Sequence, residues 1–388
     1  MDRVKNIRQL FINELNLVAD DHSILLTVII APVLYFFFLG SIYMYKDIEQ
    51  VPFAVVDLDN TTVTREMTRL ISSQQKVNVT GVFHDYEEGL DLLNSFKVDG
   101  FLVFPKGFER DLKRLEGADV KLYLNNTRFL PSNTLNESIL KFMIMAGAGV
   151  RLKYFVAKGV PPEVAMEEIV PIIPELRPLY NPTNNYGDFL LPGLFILILH
   201  QTLLIGLGES FARKRSSGFP GLKERKGFTG IVGYLSAKTG YYFILYIAYF
   251  ILIYTVVFPA FGLPVHGDLI ALSLLSLLFL ITVLFYTLFI SSFFKSQIGY
   301  MEIMAFTSYP IFLISGYSWP VHFMPLPLQW ISSIVPITPF LEVVRKLAVM
   351  GGGVEHITSQ AFHLLILTVV SGVTVYFRFK YISNKAIR

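Results

Sequence analysis

Long apolar runs alternate with charged clusters along this chain. Six of the runs are long enough to cross about 30 Å of hydrocarbon, which takes roughly 20 apolar residues. Ser23 to Tyr45 carries no charge between Asp21 and Lys46, the second run lies between Asp188 and Glu209, and the third extends from Thr239 to about Phe258. The fourth covers Leu269 to Phe294, the fifth Ile303 to about Trp319, and the sixth lies between Glu355 and Arg378 with His363 inside it. The first run exceeds the core of a signal peptide and no small-residue cleavage site follows it, so it reads as an uncleaved anchor. Ahead of it, Val4, Ile7, Phe11, Leu15 and Val18 recur at helical spacing, which predicts an interfacial helix over 1–22.

The 46–187 segment has a different rhythm. Apolar, β-branched runs at "PFAVVDL", "KVNVTGVFH", "GFLVF" and "VKLYL" predict strands. Helical stretches near 61–73, 86–96, 106–116 and 132–158 lie between or after them, with Asn60 and Asp85 at cap positions. Strands alternating with helices imply an α/β layer domain. The fold class is therefore a polytopic α-helical membrane protein with six transmembrane helices and an α/β domain inserted between spans 1 and 2. Its divisions are an N-terminal helix (1–22), span 1 (23–45), the insert (46–187), and spans 2–6 (188–388).

Composition agrees with a bilayer as the solvent. The chain of 388 residues is 53% hydrophobic and 16% charged, against roughly 25% charged in soluble domains. Cysteine is absent, which removes disulfides and thiolate metal sites. The net charge of +3 is small and gives no ground for a nucleic-acid partner; its distribution matters more. Arg3, Lys5 and Arg8, the run from Arg213 to Lys238, Lys295, and the cluster from Arg378 to Arg388 fall on one side of the spans. The short loops of the other side carry only Arg345 and Lys346. The basic side is expected to be cytoplasmic, which places both termini inside the inner membrane and the insert outside it.

Two regions between spans carry candidate function. The 209–230 loop, with Glu209, Arg213, Lys214, Arg215 and Gly218, is basic and broken by Gly218, Pro220 and Gly221. It reads as two short helices around a turn, able to bind lipid head groups or to present helical ends to a partner. The late outer region, 316–353, holds Gly316 and Pro320, Pro325, Pro327, Pro336 and Pro339, with Trp319 and Trp330 at belt-like positions. Two short re-entrant helices are expected there, as an anchor or as an outer gate. Glu342 lies three and four residues before Arg345 and Lys346, so their charges can pair on one helix face.

"VDLDNTT", Val56 to Thr62, has the D-x-D-x-T pattern of an aspartyl-phosphate phosphatase, with Asp57 as nucleophile and Asp59 as its partner. The later strands bring no acidic pair to complete a metal site. The bland alternative is a strand end whose aspartates stabilise a turn and the next helix start. A membrane-anchored phosphohydrolase and a sensor with an extracytoplasmic domain are the rival classes. A sensor needs an output module, and the longest predicted cytoplasmic segment has only about 30 residues.

The order of elements resembles the permease subunits of ATP-binding-cassette (ABC) exporters of the type-2 class, in the subgroup with a large insert after the first span. The resemblance rests on "VPFAVVDLDNTTVTREMTRLI", "VDGFLVFPKGFERDLKR", "YNPTNNYGDFLLPGL", "LFISSFFKSQ" and the proline-rich "SGYSWPVHFMPLPLQWISSIVPITPFLEVVR". It departs at "ESFARKRSSGFPG", where Phe219 stands in place of the Thr of the usual Gly-Thr. The resemblance implies a half-transporter that pairs with a second permease, itself or a sister subunit. A separate cytoplasmic ATPase would carry ATP and Mg, since this chain has no phosphate-cradling G-x-x-x-x-G-K-[ST] and no cofactor of its own. It further implies that the 209–230 loop and the N-terminal helix transmit ATPase closure. The insert would dock a periplasmic adaptor, with an outer-membrane channel beyond, or hold released substrate. The aromatic-rich spans suit a hydrophobic or amphiphilic cargo. His200 is the only ionisable group near the middle of a span, so proton coupling has little support.

Overall fold

A computed structural model describes residues 2–44, 48–115, 117–169, 177–182, 185–216, 219, 222 and 227–385. The chain forms two compact units, Met1–Lys46 with Pro178–Arg388 and, separately, Asp47–Arg177.

In the first unit, α1 (Asp2–Asp20) leads into a continuous apolar helix built from α2 (His22–Leu25), a π turn (Leu26–Ile30) and α3 (Ala31–Ile42). Asp21 separates α1 from α2 by accepting the backbone N–H of Ser23 (3.1 Å) and Ile24 (3.5 Å), the donors a helix start leaves unpaired.

The second unit contains β1 (Val51–Asp57), α4 (Thr62–Ser72), β2 (Val77–Phe83), α5 (Tyr86–Asn94), β3 (Gly100–Phe104), α6 (Phe108–Arg114), β4 (Lys121–Leu124), α7 (Phe129–Ala157) and α8 (Pro162–Ile169). The strands form one sheet in the order β2-β1-β3-β4, parallel except for the antiparallel β3–β4 pair. Successive side chains of a strand point to opposite faces. Val51, Phe53 and Val55 accordingly join one core with Met67, Ile71, Leu135 and Ile139, while Ala54 and Val56 join another with Val98, Phe101 and Val103. Helices covering both faces explain why β1 reads as a continuous apolar run.

The first unit resumes with α9 (Tyr186–Ser216), α10 (Gly227–Leu252), a π turn (Ile253–Val257), α11 (Phe258–Ala260), α12 (Leu269–Ser291) and α13 (Gln297–Ile314). After a 3₁₀ turn at Val321–Phe323 come α14 (Leu326–Ile334), α15 (Ile337–Val344), a π turn (Arg345–Val349), a 3₁₀ turn (Val354–Ile357) and α16 (Thr358–Lys385). Among the described residues, five helices are long and apolar enough to cross a membrane: His22–Ile42, Tyr186–Arg215, Gly227–Ala260, Leu269–Ser291 and Val354–Asn384. The expected fifth span corresponds to α13, which has 18 residues and contains Glu302 and Pro310, and so falls outside that set.

α9 is the central helix. Its most apolar stretch is 83% buried, against 17–39% for the other four. Two of its glycines let neighbours approach closely: Tyr317 lies where a side chain on Gly193 would be, and Tyr300 where one on Gly208 would be. Tyr300 also donates to the Leu204 carbonyl at 2.7 Å, and Tyr317 to that of Phe189 at 2.8 Å.

The expected 209–230 loop is much shorter than the sequence suggested. α9 continues to Ser216 and α10 already begins at Gly227, not at Thr239. Glu209, Arg213, Lys214 and Arg215 therefore belong to the last turns of a helix. Gly218, with 217, 220, 221 and 223–226, lies outside the described residues.

Candidate functional site

The α1 helix docks against α10 through Phe11, Glu14, Leu17 and Val18, a face slightly rotated from the expected stripe, since Leu15 is exposed. Glu14 in the middle of this face is fully buried. Lys238 of α10 reaches its Oε2 at 2.8 Å, Lys214 of α9 pairs with the same oxygen, and Ser210 donates to Oε1, with the Tyr242 hydroxyl 3.5 Å away. Burial alone would raise the Glu14 carboxyl, but Lys214 and Lys238 outweigh it and hold it below its ordinary value. One carboxylate thus ties three helices together where a purely apolar contact would let them slide.

A second network lies beside it. Gln297, the first residue of α13, donates from Nε2 to Asp21 Oδ2 (3.0 Å) and to Glu209 Oε1 (2.8 Å), and Arg213 also pairs with Asp21. The start of α2, the end of α9 and the start of α13 are thereby joined. Arg215 and Arg378 both donate to the Ser292 carbonyl at the C-terminal end of α12, where cations suit the unpaired carbonyls. Phe219 donates its N–H to the Lys214 carbonyl at 3.0 Å and packs its ring with Phe211 and Phe379. The candidate charges of this region are directed at neighbouring helices of the same unit.

In the 316–353 region, Gly316 has φ +83°, a left-handed conformation that favours glycine, and Val321 occupies the space a side chain would need. Pro320 precedes the 3₁₀ turn, Pro325 precedes α14 and Pro336 precedes α15, positions where a missing N–H costs nothing. Pro336 and Pro339 are buried, whereas Pro320 and Pro325 are exposed. Glu342 pairs with Lys346 at 3.0 Å. Arg345 instead donates to the Tyr317 carbonyl at 2.5 Å and lies over the Tyr317 ring at 4.5 Å, bringing this region onto α9.

The two aspartates of the D-x-D-x-T stretch have structural partners. Asp57 Oδ1 accepts the N–H groups of Asp59 (3.1 Å) and Asn60 (2.8 Å), and Oδ2 accepts the Thr64 hydroxyl (2.6 Å). The Asp59 carboxylate accepts the N–H groups of Gly107 (2.6 Å) and Glu109 (2.9 Å) at the start of α6. Partial burial raises its carboxyl, yet these donors outweigh burial and hold it below its ordinary value. The pair pins the end of β1 to α4 and α6.

A family model described as "ABC-2 family transporter protein" matches residues 22–377. The chain belongs to the ABC-2 transporter family. It is similar to the probable multidrug ABC transporter permease YbhR of Escherichia coli (strain K12), 22% identical over 360 residues that cover 91% of this chain and 92% of the relative. It is also similar to the probable multidrug ABC transporter permease YbhS of the same strain, 20% identical over 349 residues covering 89% of each. With its apolar helices, this ABC-2 chain is a polytopic helical membrane protein and a transport subunit.

Sequence reasoning passed over four residues that organise the basic end of this ABC-2 chain: Glu14, Lys238, Asp21 and Gln297. Glu14 had a usable signal, for it falls three residues after Phe11 and four before Val18, on the helix's apolar side. A charge in that position requires a buried partner. Lys238 was placed in a loop ahead of a span starting at Thr239. It sits instead about three turns into α10 and is buried, its charge met by Glu14. His200 is buried in α9, stacked on Phe279, which in turn stacks on Phe340 at 4.1 Å.

Proposed function

We propose that this chain is the membrane-spanning permease subunit of an ABC-type exporter in the inner membrane, forming the substrate path and driven by a separate cytoplasmic ATPase subunit. In this reading α13 is a short fifth of six spans. Its 18 residues rise about 27 Å, close to the thickness of the hydrocarbon. The basic end and both termini are cytoplasmic, the 46–187 α/β insert is extracytoplasmic, and a second permease completes the path. ATP and Mg belong to the ATPase. The relatives named as multidrug permeases support a hydrophobic or amphiphilic cargo. An adaptor and an outer-membrane channel would meet the insert.

The observation that carries this reading is the Glu14 knot. It makes α1, the end of α9 and the first turns of α10 one mechanical body, and residues 217–226 join two of these helices. A push on that connection passes to three helices at once, and through Asp21 to the first span. Nucleotide must bind one arrangement of the assembly more tightly than the other, because equal affinity shifts nothing.

The test follows from the helix bounds. Replacing 217–226 by a Gly/Ser linker that keeps the buried Phe219 and Leu222 leaves the knot and the core beside it intact. Loss of the co-purifying ATPase subunit, with unchanged thermal stability of the chain, supports the reading. Unchanged co-purification counts against it.

A further inference from the structure

The α10–π turn–α11 helix and α12 separate near the end of the bundle that carries Asp268, leaving a cavity of about 390 Å³. One wall consists of Ile247, Phe250, Ile251, Tyr254 and Thr255; the other presents Leu269, Ser273, Ser276 and Leu277. The walls differ in kind. Ser273 and Ser276 are small and lie on the same α12 face, so apart from the Tyr254 hydroxyl, which reaches Ser276, the large side chains opposite are not filled in by α12. The π turn at Ile253–Val257 widens the facing helix at the same level.

The lining describes a largely apolar slot with one exposed side. Phe250, Tyr254 and Ser276 form its buried floor, while Ile251, Thr255, Leu269 and Ser273 form an exposed rim. Three of the four hydroxyls of the lining have partners: Tyr254 meets Ser276 at 3.0 Å, Ser276 donates to the Leu272 carbonyl at 2.7 Å, and Thr255 donates to that of Ile251 at 2.7 Å, while the fourth, Ser273, lies at the exposed rim. The buried floor therefore asks only hydrocarbon of an occupant. Ser276 lies about 10 Å along α12 from its start, within a single leaflet's depth. Both walls belong to helices long and apolar enough to cross a membrane, which puts the exposed rim at the depth of the hydrocarbon.

We propose that this groove is a binding site for a single acyl chain of a bilayer phospholipid, held between α10 and α12 as a fixed component rather than as exchanging solvent. A helix about 10–12 Å across cannot enter a slot of this volume, whereas one alkyl chain can, and a void left unfilled would forfeit the dispersion contacts of its lining.

The test uses the full chain reconstituted in phosphatidylethanolamine and phosphatidylglycerol vesicles with a trace of phosphatidylcholine bearing a mid-chain diazirine. After photolysis and digestion, crosslinks on 247–255 and 269–277 should exceed several-fold those on the exposed α16 positions Phe362, Leu365 and Val369. Ser273→Phe should fill the slot, since losing the burial of even two methylenes weakens occupancy about tenfold. Ile251→Trp should do the same from the opposite wall, while Ser273→Ala and the α16 crosslinks should show no change. Uniform labelling of all lipid-facing helices, or groove labelling that survives both bulky variants, overturns the proposal. So does loss of groove labelling on assembly with a second permease, which would mean that protein covers the slot. Lipid capture needs neither nucleotide nor ATPase, so its outcome is independent of the transport reading.

Discussion

Removing the Glu14 carboxylate is the sharpest perturbation of this architecture. In Glu14→Ala, the Lys238 and Lys214 ammonium groups lose their shared partner, and Lys238 is itself buried. Breaking a buried pair from one side costs about 3–5 kcal/mol, because the remaining charge stays desolvated. Lys238→Met is a different case. It removes one of two cations around a single carboxylate and leaves a neutral Glu14–Lys214 pair, so the loss approaches that of one hydrogen bond to a charged group, about 1.5–3 kcal/mol. The expected order is therefore Glu14→Ala well above Lys238→Met, with a double variant less damaging than the sum. Denaturant unfolding of the detergent-solubilised chain measures all three. A Glu14→Ala cost under about 1 kcal/mol, or one no larger than that of Lys238→Met, would refute the reasoning. The pH dependence has a definite sign. The folded Glu14 carboxyl lies below its ordinary value of 4.5. Its contribution is intact above the unfolded pKa and is lost as pH falls through the folded one, so acid should narrow the gap between wild type and Glu14→Gln.

Other consequences are as direct. Asp59→Ala removes the acceptors of the Gly107 and Glu109 N–H groups and should cost about 1 kcal/mol, read as faster amide exchange at 107–111. Because the folded Asp59 carboxyl lies below its ordinary 3.8, that protection should be present at neutral pH and fade as pH falls through the folded value. Asp57→Asn should impair the β1–α4 connection, checked by the same exchange measurement at 58–66; exchange there unchanged from wild type would refute the structural role of Asp57. Gly208→Ala forces a methyl into the Tyr300 ring and should destabilise by about 1–3 kcal/mol or more in thermal unfolding. Arg345→Lys gives up the planar stack over Tyr317 and should cost roughly 0.5–2 kcal/mol by the same assay.

Much of the insert was readable because its signals are local. The four apolar runs coincide with β1 to β4, and Asp85 accepts the Glu87 N–H at the start of α5. The strand order β2-β1-β3-β4 was not readable, since pairing depends on which faces meet, not on any one strand. Among the membrane helices, apolar runs located the segments but misplaced their ends. A hydropathy reading ends a span at the first charge, and Lys238 breaks that rule because Glu14, far away in sequence, accompanies it into the interior. Arg213, Arg215 and Arg378 were legible as basic, but their acceptors at Asp21 and Ser292 lie dozens to hundreds of residues away. Glu342 shows the same limit from the other side: helical spacing offered it two partners, and the Tyr317 ring took one of them.

The two tyrosines seated on α9 restrict what that helix can do. With one ring lodged against Gly193 and another against Gly208, spinning α9 about its own axis would drive backbone into both rings. A movement of α9 that keeps both contacts carries α13 and the turn at Gly316 along with it. A parting of the bundle that spares these two contacts runs along other seams.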